Sequence, residues 1–133
     1  MKRRRAQALQ EAIRTAKGKR AKAEAYFALG LFHDSRRRPA KAIPNYRKAI
    51  CYGLPRARKA QVFAWLASAL WKMGKPRTAL GNGRIALRLA RDARLTGWVA
   101  RLMVRIERSP HRFSAASKHG RMRETILPRR VLR

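Results

Sequence analysis

The chain has 133 residues, 46% of them apolar, which is enough for one domain with a hydrophobic core and too short for two of ordinary size. Its 35 lysine and arginine residues stand against six aspartate and glutamate residues, a formal net charge of +29, so an anionic partner is expected to relieve the self-repulsion. Cys51 is the only cysteine, which excludes an intramolecular disulfide and favours a reducing, cytoplasmic location.

Apolar residues recur at helical spacing in six segments, which glycine, proline or basic turns separate. Gly18 ends the first of these helices. Residues 1–20 are expected to form a basic amphipathic N-terminal helix. The periodic segments are residues 6–16, 21–33, 39–53, 56–73, 76–90 and 93–107.

Local sequence signals mark where several of the helices begin and end. Pro39 and Pro76 suit the first turn of a helix, where a missing N–H costs nothing, and Gly74 suits the left-handed position after a last turn. Pro44 is expected to kink the third helix. Gly81 and Gly83 lower the helix propensity of the fifth, which is therefore the most weakly predicted of the six. Periodicity stops after residue 107, and residues 108–133 are expected to form a basic, disordered tail.

The two central pairs of helices are related by an internal repeat of 37 residues. Positions between the identities change conservatively, as with Tyr26 and Phe63 or Gly30 and Ala67. A repeat of this length predicts helical hairpins that stack and leave an open surface for binding. Six of the identities are Leu29/Leu66, Pro39/Pro76, Ala42/Ala79, Asn45/Asn82, Arg47/Arg84 and Ala49/Ala86.

The repeated residues resemble the tetratricopeptide repeat, a unit of two antiparallel helices. Small residues stand where paired helices approach closely, and aromatic residues fill the gaps. The resemblance implies an all-α fold of the α-solenoid type, a short array of antiparallel helix hairpins with two repeats and flanking helices. The array would occupy residues 21–107 and end in a capping helix. The residues that carry the resemblance are 26–30, Ala42, Tyr46, Ala49, Phe63, Leu66, Ala67, Gly74, Ala79 and Ala86.

Residues 29–80 are similar in particular to the bacterial tetratrico peptide repeat group 5 type. The similar segments are 33–35, 42–44, 53–54 and 66–68. The resemblance implies a concave groove, lined by the first helix of each repeat, that binds a protein or peptide. The groove residues it implies are Glu24, Phe27, Leu31, Asp34, Gln61, Ala64, Ser68, Trp71 and Lys72. Of these, Phe27, Leu31 and Trp71 are expected to be exposed apolar contacts.

Catalysis is the least favoured function. The three histidines, His33, His111 and His119, have no cysteine or carboxylate at metal-ligand spacing, and no carboxylates are paired for acid–base work. Neither an enzyme, a metal site nor a cofactor is therefore expected. The longest apolar stretch, residues 62–71, is too short to cross a bilayer, so membrane insertion is not expected.

Arginine residues fall at helical spacing on the last two predicted helices, as two ridges that meet successive phosphates if they bind nucleic acid. The alternative for each ridge is a solvated helix face. The candidates are Arg84, Arg88 and Arg91 on one ridge and Arg94, Arg101, Arg105 and Arg108 on the other. Two functions stay open: a scaffold for an acidic protein or peptide, or an adaptor that binds RNA or DNA through these ridges and the basic tails.

Overall fold

The computed structural model describes residues 2–108, all of whose regular structure is helical. The expected tail therefore lies outside the described residues from residue 109 onward. The six helices are α1 (Lys2–Thr15), α2 (Lys19–Ser35), α3 (Pro39–Tyr52), α4 (Arg56–Lys72), α5 (Pro76–Leu89) and α6 (Ala93–Arg108).

The helices pack as consecutive hairpins. α2 packs on α3 and α4 on α5, while α3 packs on α4 and joins the two pairs. α1 packs on α2 at one end, and α6 packs on α5 and α4 at the other. The expected all-α array of two hairpins with flanking helices is confirmed.

The turn inside each hairpin has the same backbone form. Gly74 has a φ of 77°, and Arg37, which stands 37 residues earlier, has a φ of 59°. This left-handed conformation costs glycine nothing, but it costs a residue with a Cβ roughly 1–2 kcal/mol. The repeat thus keeps its turn geometry even where its sequence departs from glycine.

In the second hairpin, an arginine of the first helix binds the end of the second helix. Arg56 donates from Nε to the carbonyl oxygen of Leu89 at 3.0 Å and from Nη2 to that of Arg88 at 2.8 Å. A cation at the carboxyl end of a helix satisfies free carbonyl groups and complements the helix dipole. These bonds place the start of α4 beside the end of α5.

The helix-breaking residues in α3 and α5 do not interrupt them. Pro44 lies exposed within α3, where the carbonyl of exposed Ala40 loses its helical donor. Gly83 is buried in α5, where a Cβ would lie 3.0 Å from the side chain of Met103 in α6. A small residue at this position therefore lets α6 pack closely on α5.

The first hairpin is closest where Gly30 of α2 meets Tyr46 of α3. A Cβ on Gly30 would lie 2.6 Å from two carbon atoms of the Tyr46 ring, and that ring is fully buried. Both the ring and its neighbours in the core would have to move to accommodate a methyl group.

We therefore expect Gly30→Ala to lower the free energy of unfolding by about 1–3 kcal/mol, because it overpacks this contact. Urea unfolding followed by circular dichroism measures the change. Gly81→Ala is the matched control, since a Cβ there meets no atom within 4 Å. It should stabilise α5 by about 0.5–1 kcal/mol. Equal stability of Gly30→Ala and the parent protein would contradict the packing described here.

Candidate partner-binding surface

α2, α4 and α6 lie side by side, and we name their exposed side the first-helix surface. Contacts at both ends of the helices show that α2 and α4 run in the same direction. Near their starts, Glu24 pairs with Arg58, and near their ends, Asp34 pairs with Lys72. α6 continues the row, because Trp98 packs against Trp65 of α4.

A buried carboxylate joins α2 to α3 and α4. Asp34 accepts a hydrogen bond from the Tyr46 hydroxyl through Oδ2 at 2.7 Å, and its Oδ1 lies 3.4 Å from Lys72 Nζ. The Asp34 side chain is 4% exposed, whereas that of Lys72 is 46% exposed. Asp34 is thus committed to contacts within the chain, and Lys72 is left partly open to solvent.

Burial raises the pKa of the Tyr46 hydroxyl well above its ordinary value. The hydrogen bond to Asp34 raises this pKa further, and so does the negative charge of that carboxylate. The Tyr46 hydroxyl therefore stays protonated at neutral pH and can donate its hydrogen bond to Asp34.

Arg58 covers the amino-terminal part of the surface. Its Nε lies 3.0 and 3.2 Å from the two carboxylate oxygens of Glu24, and its Nη1 donates to Gln61 Oε1 at 2.8 Å. The same guanidinium lies 5.1 Å from the centroid of the Phe27 ring. Phe27 also belongs to the hydrophobic core, where its ring centroid lies 6.0 Å from that of Tyr46. It is only 3% exposed, so the expectation that it is an exposed apolar contact is wrong.

Tryptophan side chains line the surface between α4 and α6. The rings of Trp65 and Trp98 lie 5.5 Å apart between centroids at 44°, and the Arg105 guanidinium lies 5.7 Å from the centroid of the Trp71 ring. Beside the first pair is a shallow cavity of about 330 Å³, which Arg94 also lines. Its other lining residues are Gln61, Trp65, Asp92, Leu95 and Trp98.

The nine groove residues that the resemblance implies divide by burial. Glu24, Leu31, Gln61 and Trp71 are half-buried and Lys72 is exposed, so these five are accessible. Phe27, Asp34, Ala64 and Ser68 are buried. Ala64 is inaccessible because it packs in a cluster with Val99 of α6 and Ala86 of α5.

Sequence reasoning left Arg58, Trp65 and Trp98 out of the groove. Trp98 was missed because α6 was expected to cap the array and not to line the groove. Arg58 has no apolar periodicity to mark it, and its contact with Glu24 spans 34 residues.

The arginine candidates fall on two separate parts of the structure. Arg84 and Arg88 are exposed on α5, but Arg91 follows the end of that helix at Leu89. The expected ridge of three is therefore wrong at Arg91, because Ala90 adopts an extended conformation with ψ of 137°. The second set is exposed on α6 and consists of Arg94, Arg101, Arg105 and Arg108.

His33 lies near the end of α2 among basic side chains. Burial lowers its pKa, and the positive charges of Lys41 and Arg38 lower it further. The imidazole is thus neutral at pH 7. Within residues 2–108 the structure brings together no group of three or more histidine, cysteine, aspartate and glutamate side chains that could hold a metal ion.

Comparison with known proteins identifies a family of helical repeats. The family model described as tetratrico peptide repeat matches residues 23–106, from within α2 to near the end of α6. Neither the curated proteins nor the solved structures include a significant match to the chain. In the part of the chain that is described, all helices are too short or too polar to cross a membrane.

The contacts of Asp34 predict a specific effect on stability. Tyr46→Phe should lower the free energy of unfolding by about 1–3 kcal/mol, because it removes a hydrogen bond from a buried carboxylate. Chemical denaturation at neutral pH measures the effect. Tyr52→Phe is the control, since it removes the hydroxyl of an exposed tyrosine whose ring stacks on Tyr26. If the two variants lose the same stability, the bond to Asp34 has no special role.

Proposed function

The chain belongs to the tetratricopeptide repeat family, whose helical arrays commonly mediate protein interactions, and we propose that it is a non-catalytic scaffold. Its first-helix surface binds an acidic segment of a partner protein. The observation that carries this proposal is the charge of that surface. Glu24 and Asp34 on that surface are paired within the chain, and Asp92 beside the cavity accepts a hydrogen bond from the Arg94 amide. Lys72 and Arg94 remain accessible.

The distribution of charge supports an acidic partner. Glu24 is held by Arg58, and Asp34 is held by Tyr46 and Lys72, so neither carboxylate is available to attract a cationic partner. An acidic segment would pair with the exposed cations without displacing these contacts. Complementary charge of this kind speeds association and disfavours basic competitors.

The tryptophans support an apolar anchor in the same segment. Trp65 and Trp98 are half-buried, and together they line the cavity that Arg94 borders. Large aromatic side chains in partly desolvated positions contribute most of the affinity at many interfaces. We therefore propose a ligand in which an apolar side chain lies close to acidic residues.

A charge-reversal experiment tests this proposal. A peptide is first selected for binding to the parent protein from a random displayed library, and its affinity is measured by fluorescence anisotropy. Arg94→Glu should weaken binding about tenfold or more, a loss of about 1.4 kcal/mol, because it opposes the acidic peptide. The fold should be retained, since a carboxylate in the first turn of α6 is favourable to the helix.

Arg84→Glu is the matched control, because it reverses the same charge at an exposed position on α5. It should leave the affinity within about twofold at moderate salt, since exposed charges beyond a Debye length are largely screened. A selected peptide that carries no acidic residue, or equal losses in both variants, would count against the first-helix surface as the site.

One observation favours a second candidate, an adaptor that binds RNA or DNA. α3 and α5 contain no aspartate or glutamate, and they expose basic side chains on the side away from the core. Arg47 and Arg84 occupy equivalent positions in the two hairpins. Arginine pairs readily with phosphate, and a surface without carboxylates does not repel it. The other exposed bases on these helices are Lys41, Lys48, Arg77 and Arg88.

Salt dependence tests this second candidate with a short single-stranded RNA as the probe. The double variant Arg84→Gln, Arg88→Gln should reduce the slope of log affinity against log salt by roughly 0.7 for each phosphate that the protein no longer neutralises. Arg101→Gln, Arg105→Gln makes the same change of charge on α6 and shows which helix meets the strand. Unchanged slopes in both double variants would exclude the arginine sets as phosphate contacts.

A further inference from the structure

α6 occupies the position of the first helix of a third hairpin. α2, α4 and α6 begin at Lys19, Arg56 and Ala93, which are separated by 37 residues each time. Val99 is buried in α6 as Val62 is buried in α4, again 37 residues earlier. α6 also packs on the preceding hairpin, as α4 packs on α3.

In α2 and α4, certain positions pack against the second helix of the hairpin. The equivalent positions of α6 are nevertheless accessible. Gly30 lies against the second helix of its hairpin at Tyr46, and the equivalent residue Ala67 is fully buried. The third residue in this series is Val104, which is 44% exposed. One turn earlier, Tyr26 and Phe63 pack against the core, but the corresponding Ala100 is exposed. We name Gly97, Ala100 and Val104 the outer face of α6.

Within residues 2–108, no second helix covers this face as α3 covers α2 and α5 covers α4. A shallow cavity of about 450 Å³ lies there instead. Its lining combines small and apolar side chains with cations, and the residues are Trp98, Ala100, Arg101, Val104 and Arg105.

We propose that the outer face of α6 binds an amphipathic helix of a partner protein, and that this helix is acidic. It lies on α6 as the second helix of each hairpin lies on the first. Gly97 and Ala100 are small and leave room beside α6, and Val104, at the position of Gly30, offers an exposed apolar contact. This surface adjoins the first-helix surface at Trp98 and Arg105. Its proposed partner is held by Ala100 and Val104, so its binding does not depend on the function proposed above.

Charge complementarity identifies the partner helix as acidic. Arg101 and Arg108 are exposed beside the outer face, and Glu107 is the only carboxylate in α6. A second copy of this chain would bring a net charge of +29 to the same place, which opposes self-association. Glutamate or aspartate residues that flank an apolar stripe would instead pair with these arginines.

The sequence of residues 109–133 is less suited to this face than an acidic helix. Ala116 and Gly120 keep the register of Ala79 and Gly83, and Met122 and Ile126 are apolar like Ile85 and Leu89. Polar residues nevertheless replace apolar ones at the positions of Leu80, Ala86 and Leu87. Ser117 stands 37 residues after Leu80, and Glu124 stands 37 residues after Leu87. The segment also carries seven lysine and arginine residues against one acid, so it repels the arginines of α6.

A designed peptide tests the proposal on the full chain. The probe has the sequence of residues 76–89, which is α5, with Arg77, Arg84 and Arg88 replaced by glutamate and a fluorescent label at one end. It keeps the apolar residues with which α5 packs on α4 and reverses the charge. We expect this peptide to bind. The unaltered sequence with its three arginines should bind at least about tenfold more weakly, as measured by fluorescence anisotropy.

Val104→Lys should weaken binding of the acidic peptide about tenfold or more, because it places a long charged side chain at the point of close approach. Met73→Lys is the matched control and should leave the affinity unchanged, since Met73 is also an exposed apolar residue but follows the end of α4. No binding of the acidic peptide, equal binding of both peptides, or equal affinity of Val104→Lys and the parent protein would overturn the proposal.

Thiol labelling separates the partner from residues of the chain itself. In a Cys51→Ser, Val104→Cys variant, we expect a maleimide to label the introduced thiol rapidly and the acidic peptide to slow that labelling. Slow labelling of the full chain without peptide would mean that its own residues cover the face, and would overturn the proposal. These measurements use neither the selected peptide nor Arg94, so their failure is distinct from failure of the proposed function.

Discussion

The array depends on the position of Tyr46. Its ring lies against Gly30, and its hydroxyl binds Asp34, so one side chain fixes both the distance and the register of α2 and α3. Because Asp34 also meets Lys72 of α4, the same group fixes the next hairpin relative to the first. A carboxylate that lost the tyrosine would keep only the partly exposed lysine, and leaving a buried acceptor short of donors is costly.

The second hairpin solves the same packing problem with different residues. Gly83 takes the place of Tyr46, so α5 has no ring at this position, and the side chain of Met103 from α6 lies against it instead. Trp71 takes the place of Asp34 and lies beneath Arg105 of α6. Both replacements bring α6 into the contact. The second hairpin is therefore completed by α6, whereas the first is completed by its own tyrosine.

Periodicity was enough to predict the helices and their pairing, because the apolar positions within each helix and the identities at 37 residues are properties of the local sequence. Contacts between helices join residues that are far apart in the sequence, so periodicity does not predict them. Phe27 is buried between Tyr46 of α3 and Arg58 of α4, which Glu24 holds across 34 residues. The register of α6 was missed because Val99 is the only residue of α6 identical to its counterpart in α4, while Gly97, Ala100 and Val104 have all changed. Arg91 failed as a ridge residue because an apolar pattern continues for one residue beyond the helix itself.

In the described part of the chain, most of the few acidic residues form contacts within the fold and leave most of the basic residues without an acidic partner. Most carboxylates within residues 2–108 already have a partner in the chain: Glu11 pairs with Arg14, Glu24 with Arg58 and Asp34 with Lys72, and Asp92 accepts a bond from the Arg94 amide at the start of α6. Each of these contacts fixes a helix or a helix pair, so the acids serve the fold. Most of the other cations face solvent, where they repel one another. Binding an acidic partner lowers that repulsion on whichever surface it occupies. Shape and apolar contacts must therefore provide the specificity, and the two places that offer both are the tryptophans between α4 and α6 and the outer face of α6.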